Sequence, residues 1–184
     1  MDPVRAAGLA IVLALCPATA GGVEVVVSRA AFAGGVVAGE PSPRFESGSS
    51  VATGPLWFWS EISADASTID WLRQHKRLPL KHAWYRSRGG AAGDDLEPDF
   101  VRDLEDLDEA RIERLAGELR LRRPPVFTYR TASCRIDLPA GAWVVKVTDR
   151  FGDVIADGRG RDARYEIRVR PGATQASSPC PVRR

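Results

Sequence analysis

The sequence predicts an all-β fold: an antiparallel β-sandwich, Ig-like or carbohydrate-binding-module-like, with an inserted amphipathic helical segment. Three observations carry this expectation. Residues 127–169 read as three consecutive strands separated by turn residues. Two earlier stretches, 23–32 and 56–62, are rich in β-branched and aromatic residues. Sustained helical spacing of apolar residues is confined to one mid-chain segment, 94–123.

The strands of the last third rest on period two. In 142–148, Trp143, Val145 and Val147 fall on one face, and Val144, Lys146 and Thr148 on the other. In 164–170 the split is sharper, with Tyr165, Ile167 and Val169 set against Arg164, Glu166, Arg168 and Arg170. One dry face and one wet face favour antiparallel pairing. Pro139-Ala140-Gly141 supplies a turn before the middle strand, and Phe151-Gly152-Asp153 one after it.

From its start, the chain reads as an exported protein. Residues 1–20 resemble a secretory signal peptide, with Arg5 ahead of an apolar run at 6–15 and the small residues Ala18-Thr19-Ala20 at the cleavage site. The run is short for a bilayer span, so no stable membrane span is expected after cleavage before Gly21, and the location is periplasmic or secreted. Cleavage removes one acid, Asp2, and one base, Arg5, which leaves the net charge of +2 unchanged. It also removes Cys16 and leaves two cysteines, Cys134 and Cys180. Charge is nearly balanced and no Lys/Arg run is dense enough for a nucleic-acid patch, so nucleic acid is excluded as a partner.

Residues 21–172 form the expected sandwich domain. Its first strand is 23–32; 34–50 is a Gly/Pro/Ser-rich connection with little pattern. In 56–62, Leu56, Phe58 and Ile62 alternate with Trp57 and Trp59, so both faces are bulky: either the strand is covered on both sides or one face presents aromatics to solvent. Residues 65–76 suggest a short helical turn capped by Ser67, with Ile69 and Leu72 one turn apart. A further strand at 78–86 puts Leu80, His82 and Trp84 on one face.

Three motifs then occur in order: His82-x-Trp84-Tyr85, Arg130-Thr131-x-Ser133 and Gly141-x-Trp143-x-Val145, followed by Asp149, Gly152 and Val154. The run resembles the bacterial family catalogued as domain of unknown function 2914. The resemblance covers most of the mature chain apart from 87–125 and the tail. It implies a compact, mostly β, exported or membrane-associated domain with no assigned chemistry. Ala132 stands where the family usually has an aromatic residue, and Cys134 where it usually has a polar one. The family joins its Trp-Tyr and Arg-Thr strands by a short connection, and here that connection is long.

The long connection has its own pattern. Gly89 to Gly93 form a flexible lead-in, and Asp95-Leu96-Glu97-Pro98 a helix start. Phe100, Leu104 and Leu107, then Ile112, Leu115 and Leu119, follow at helical spacing. The two stripes are rotated from each other, so two helices broken near Asp108-Glu109 stand beside one long helix. The helical part, 98–121, is expected to pack on the sandwich, with the Trp57 and Trp59 face as its landing place. Residues 173–184 form a Pro/Ser-rich tail. Cys134 and Cys180 are an available disulfide pair in an oxidising compartment, the alternative being a free buried Cys134 and a loose tail.

No nucleophile elbow, zinc motif or phosphate-binding loop occurs, and no cofactor or metal is expected. His82 has two readings: a catalytic base or ligand, or a histidine hydrogen-bonded at the edge of the core, which is favoured because no second His or Cys lies at ligand spacing. The acids from Asp94 to Glu109 lack calcium-loop spacing and suit a solvated helix face. Arg130 is either an anion contact or a partner of an acid across the sheet. Candidate binding residues are Trp57, Trp59, His82, Trp84, Tyr85 and Arg130. The expected function is non-enzymatic: a protein- or glycan-interaction module of the cell envelope. The alternative is an envelope polymer hydrolase using paired carboxylates, for example Glu61 with Asp65.

Overall fold

Alternating apolar side chains close into two facing sheets. The computed structural model describes residues 25–76, 80–87, 100–103, 107–122, 125–136, 138–172 and Cys180. The expected signal peptide, the helix start at 95–98 and all of the tail but Cys180 lie outside the described residues. The elements are β1 (Val25–Ala33), β2 (Val36–Val37), β3 (Glu40–Pro41), β4 (Arg44–Phe45), β5 (Ser50–Ala52), β6 (Leu56–Ala64), α1 (Ala66–His75), β7 (Leu80–Ser87), β8 (Phe100–Asp103), α2 (Glu109–Leu121), β9 (Phe127–Arg135), β10 (Gly141–Asp149) and β11 (Arg164–Arg170).

The fold is an all-β sandwich with a helical insertion. One sheet runs β4-β1-β6-β9, the other β5-β11-β10-β7-β8, and β2 and β3 form a separate hairpin. Every pairing is antiparallel except β5 with β11. The expectation of three consecutive paired strands is therefore corrected. β9 joins β6 in the four-stranded sheet, and only β10 and β11 are neighbours. The connection 136–140 is long enough to cross the roughly 10 Å between packed sheets. The stretch 34–50, without visible pattern, holds β2, β3, β4 and the first residue of β5. Strands of two residues are too short to show a period.

Between the sheets, Phe32, Phe58, Trp84, Trp143, Val145 and Ile167 pack in one cluster. Phe58 and Phe32 meet the Trp84 ring edge-on, with centroids 6.3 and 6.0 Å apart, the arrangement the aromatic quadrupole favours. A second cluster lies toward the helices and contains Ile62, Ile69, Leu72, Ile112, Leu115 and Phe127. The turn after β10 stitches the two sheets: Val27 N–H donates to the Ala156 carbonyl at 3.0 Å, and Gly158 N–H donates back to Val27 at 2.9 Å. β4 pairs β1 only at Phe32 and Ala33, which leaves the Val27 end of that edge open to the turn. The Asp157 carboxylate accepts the N–H groups of Arg161 and Arg159 and the Arg161 guanidinium, and these hold its pKa down at about 2.

Both helices differ in detail from the expectation. Asp65, not Ser67, caps α1, accepting the N–H groups of Ser67 and Thr68 at 3.0 and 3.3 Å. In the insertion, 100–103 is strand β8, with Phe100 across from Trp84 and Val101 across from Ala83. Phe100, Leu104 and Leu107 match a helical period for only two turns, too little to hold a helix against pairing with an open sheet edge. The break falls at Asp108, which caps α2 by accepting the Arg111 N–H at 2.7 Å. The apolar stripe of α2 does not land on Trp57 and Trp59. Ile112, Leu115 and Ala116 pack with Leu72, Phe127 and Tyr129, at the α1 end of the sandwich. Among the described residues, no helix is long and apolar enough to cross a membrane.

This packing makes α2 a cover for the second cluster. Deleting 89–122 and closing the gap with a short Gly/Ser turn is expected to uncover Leu72, Phe127 and Tyr129. Bound hydrophobic dye and a lowered unfolding midpoint would report it. A deletion variant as stable and dye-silent as the parent would overturn the covering role.

Candidate functional site

Of the motif residues, His82 and Trp84 go to the core. β7 turns His82 and Trp84 inward, and neither has exposed surface. His82 Nε2 lies 3.0 Å from the Ser60 hydroxyl and Nδ1 lies 3.0 Å from the Ser133 hydroxyl. The Trp84 indole N–H donates to the same Ser133 oxygen at 3.0 Å. A serine hydroxyl offers one donor and two acceptor sites. The indole takes one acceptor site on Ser133, and the other site or the hydroxyl proton serves Nδ1. Ser60 takes the complementary role at Nε2, so either neutral tautomer of the imidazole is satisfied. Both serines are also fully buried. His82 and Trp84, named as candidate binding residues, have no path to an external ligand in this packing; they hold the two sheets together.

The outward half of β6 carries the second group. Glu61 is nearly buried and accepts the Arg130 Nε–H at 3.0 Å, while Arg130 also reaches Glu40 at 3.0 Å. Arg29 spans the same two carboxylates at 3.6 and 3.7 Å. The hydrogen bond to Glu61 raises the Arg130 pKa above its ordinary value. Arg130 therefore pairs with acids across the sheet, and its partner Glu40 belongs to the β2–β3 hairpin. That hairpin turns at Ala38 and Gly39, both with positive φ, the geometry that tight hairpins require. The Gly39 carbonyl accepts the Trp59 indole N–H at 2.9 Å. Trp59 is buried under the hairpin, with the Arg29 guanidinium 5.3 Å from its ring. Trp57 is half-buried and stands across from Cys134. Cys134 and Cys180 are joined as a disulfide, with Cα atoms 5.6 Å apart.

Tyr85 points the opposite way, onto the outer face of the five-stranded sheet, with Lys146 Nζ 5.1 Å from its ring centroid. The six candidates are thus spread over three places and do not converge. The two carboxylates proposed as a pair, Glu61 and Asp65, have separate partners. Glu61 is engaged by arginines and Asp65 by the first turn of α1. Among the described residues, no three His, Cys, Asp or Glu side chains gather as a metal-binding group.

A different surface comes together from residues the sequence leaves unconnected. On the outer face of the five-stranded sheet, Ala142 and Val144 floor an open depression of about 260 Å³ walled by Ser50, Ser87, Glu166 and Arg168. Register puts these residues on one face: Ser50 across from Arg168, Ala142 across from Ser87 and Arg168, and Val144 across from Glu166. The same register adds Lys81, Lys146, Arg164 and Arg170 to that face. The wet side of 164–170 was the legible signal for its β11 half. Lys81 and Lys146 join it only through pairings of β7, β10 and β11. Elsewhere, Arg150 stacks on Trp71 and on Phe151, 4.5 and 4.4 Å from their centroids. No family model, no curated protein and no solved structure matches this chain.

Proposed function

We propose that this chain is a non-enzymatic interaction module of the cell envelope, exported through an N-terminal signal peptide, which recognises a protein or a glycan on the outer face of its five-stranded sheet. One observation carries the reading: the depression over Ala142 and Val144, with hydroxyls, one carboxylate and one guanidinium on its walls. Shallow sites with a few convergent polar groups suit recognition better than water-excluding chemistry. The buried state of His82 and the separate engagements of Glu61 and Asp65 support a binding role over the hydrolase.

The test is retention of envelope material on the immobilised chain and on an Ala142→Trp variant, which fills the depression from an outward position on β10. Retention by the parent and its loss in a folded variant would support the reading. Equal retention by both would remove this face as the site. Release of reducing sugar from an envelope polymer, abolished by Glu61→Gln, would instead make the chain a hydrolase.

A further inference from the structure

We infer that the β2–β3 hairpin occupies a peptide-binding site on the four-stranded sheet, and that the site takes an acidic peptide segment of a partner protein when the hairpin swings away. The site lies on the opposite outer face from the depression over Ala142 and Val144 and stands apart from it. Register lays two neighbouring rows across β1, β6 and β9: Ala31, Trp59 and Ala132, then Arg29, Glu61 and Arg130. In the first row the indole stands between two methyl groups, too small to cover it. Trp59 is nevertheless only 1% exposed, because the hairpin lies over it. In the second row two guanidinium groups face one carboxylate. The second carboxylate, Glu40, comes from the hairpin and lies 3.0 Å from Arg130 and 3.6 Å from Arg29. Without the hairpin the face holds an aromatic ring beside a row with one positive charge in excess, and a surface of one sign concentrates ligands of the other.

The hairpin displays the chemistry of the ligand. It continues the ladder of β1 and β4: Gly34 N–H donates to the Pro43 carbonyl at 3.0 Å and Ser42 N–H to the Gly35 carbonyl at 2.9 Å, and Val36 and Val37 then pair with Pro41 and Glu40. Among the described residues, the hydrogen bonds and ion pairs between 36–41 and the sheet come from two consecutive residues. The Gly39 carbonyl accepts the Trp59 indole N–H at 2.9 Å, and Glu40 meets the two arginines. A backbone carbonyl followed by an acidic side chain is a spacing that any extended acidic peptide can repeat. The latch is weak enough to exchange. The side chains of Arg29, Arg130 and Glu40 are 44%, 47% and 44% exposed, and ion pairs this open to water contribute little. Val37 is 60% exposed and does not pin the hairpin down. While the hairpin is closed Glu40 competes with the partner, so the apparent affinity falls with the fraction of molecules that are open.

The experiment weakens the latch and offers the segment back. The full chain and its Glu40→Ala variant, with folding checked by the unfolding midpoint, are compared in two measurements. One is hydrogen exchange of the Trp59 indole N–H. The other is binding of a cyclic peptide carrying the sequence of 36–43, and of the same peptide with alanine in place of its glutamate. Expected in Glu40→Ala are indole exchange at least about tenfold faster and binding of the glutamate peptide at least about tenfold tighter than in the parent. The alanine peptide should not bind, and adding Arg130→Gln to Glu40→Ala should abolish binding. Unchanged indole exchange overturns the inference, because Glu40 is then no latch. Failure of the glutamate peptide to bind the variant, equal binding of the two peptides, or binding that survives the loss of Arg130 overturns the acidic-peptide site. Dimers formed by the variant overturn it too, because the hairpin of a second copy is then the occupant.

Discussion

Replacing His82 with leucine is expected to lower the unfolding free energy by about 3–5 kcal/mol. The cost is not mainly lost volume. It comes from leaving the Ser60 and Ser133 hydroxyls, each with no exposed surface, without the imidazole that bonds both. A buried polar group left without its partner costs about 1–3 kcal/mol. The same logic orders the serines. Ser133→Ala strands both His82 Nδ1 and the Trp84 indole N–H, whereas Ser60→Ala strands only Nε2. Ser133→Ala should therefore cost more than Ser60→Ala. Adding Ser60→Ala to His82→Leu should restore part of the loss, since a methyl group needs no partner. Urea unfolding of the four variants measures all of this. A Ser133→Ala variant no less stable than Ser60→Ala would show that the network is not what holds these side chains.

The second large effect is expected from the disulfide. Changing Cys134 and Cys180 together to serine opens a cross-link between residues 46 apart in sequence. Chain entropy puts the loss at up to about 4 kcal/mol, residual structure in the unfolded chain reducing it. The Cα separation of 5.6 Å lies inside the range that a disulfide bridges without moving the backbone. Mass mapping without reductant should recover the two cysteines in one linked fragment. Adding reductant should lower the unfolding midpoint of the parent and leave the double variant unmoved. Free thiols at both positions in exported material would sink the assignment.

The elements that sequence reveals are those with one buried face and enough length to repeat. β10 and β11 alternate over 9 and 7 residues, and their inward sides are Trp143, Val145, Val147, Ile167 and Val169. β2, β3 and β4 have two residues each and carry no period. Phe100 to Asp103 reads as helix because its spacing agrees with one for two turns; the edge of β7 decides otherwise. Cys134 and Cys180 are legible as an available pair, since the expected loss of 1–20 would leave two cysteines; that they bond is a matter of the fold. That Arg130 meets an acid is also legible. That the acids are Glu61 and Glu40 is a matter of register and of a hairpin whose turn brings Glu40 over the sheet. The contribution of Lys81 and Lys146 to the outer face of β11 hides for the same reason, because they meet it only through the pairings of β7, β10 and β11.

The interleaving of the sheets also bears on how quickly the chain reaches this state. β6 waits for β9, β7 for β10, and β5, one of the earliest strands, for β11, the last. Such distant pairings must meet the entropy of closing long loops before any contact rewards it, which puts folding in the millisecond-to-second range of all-β chains. A chain emerging N-terminus first has β1 and β6 to pair early, but the inward faces of both stay wet until the C-terminal strands arrive. One edge strand of the five-stranded sheet, β5, can close only after β11 has emerged.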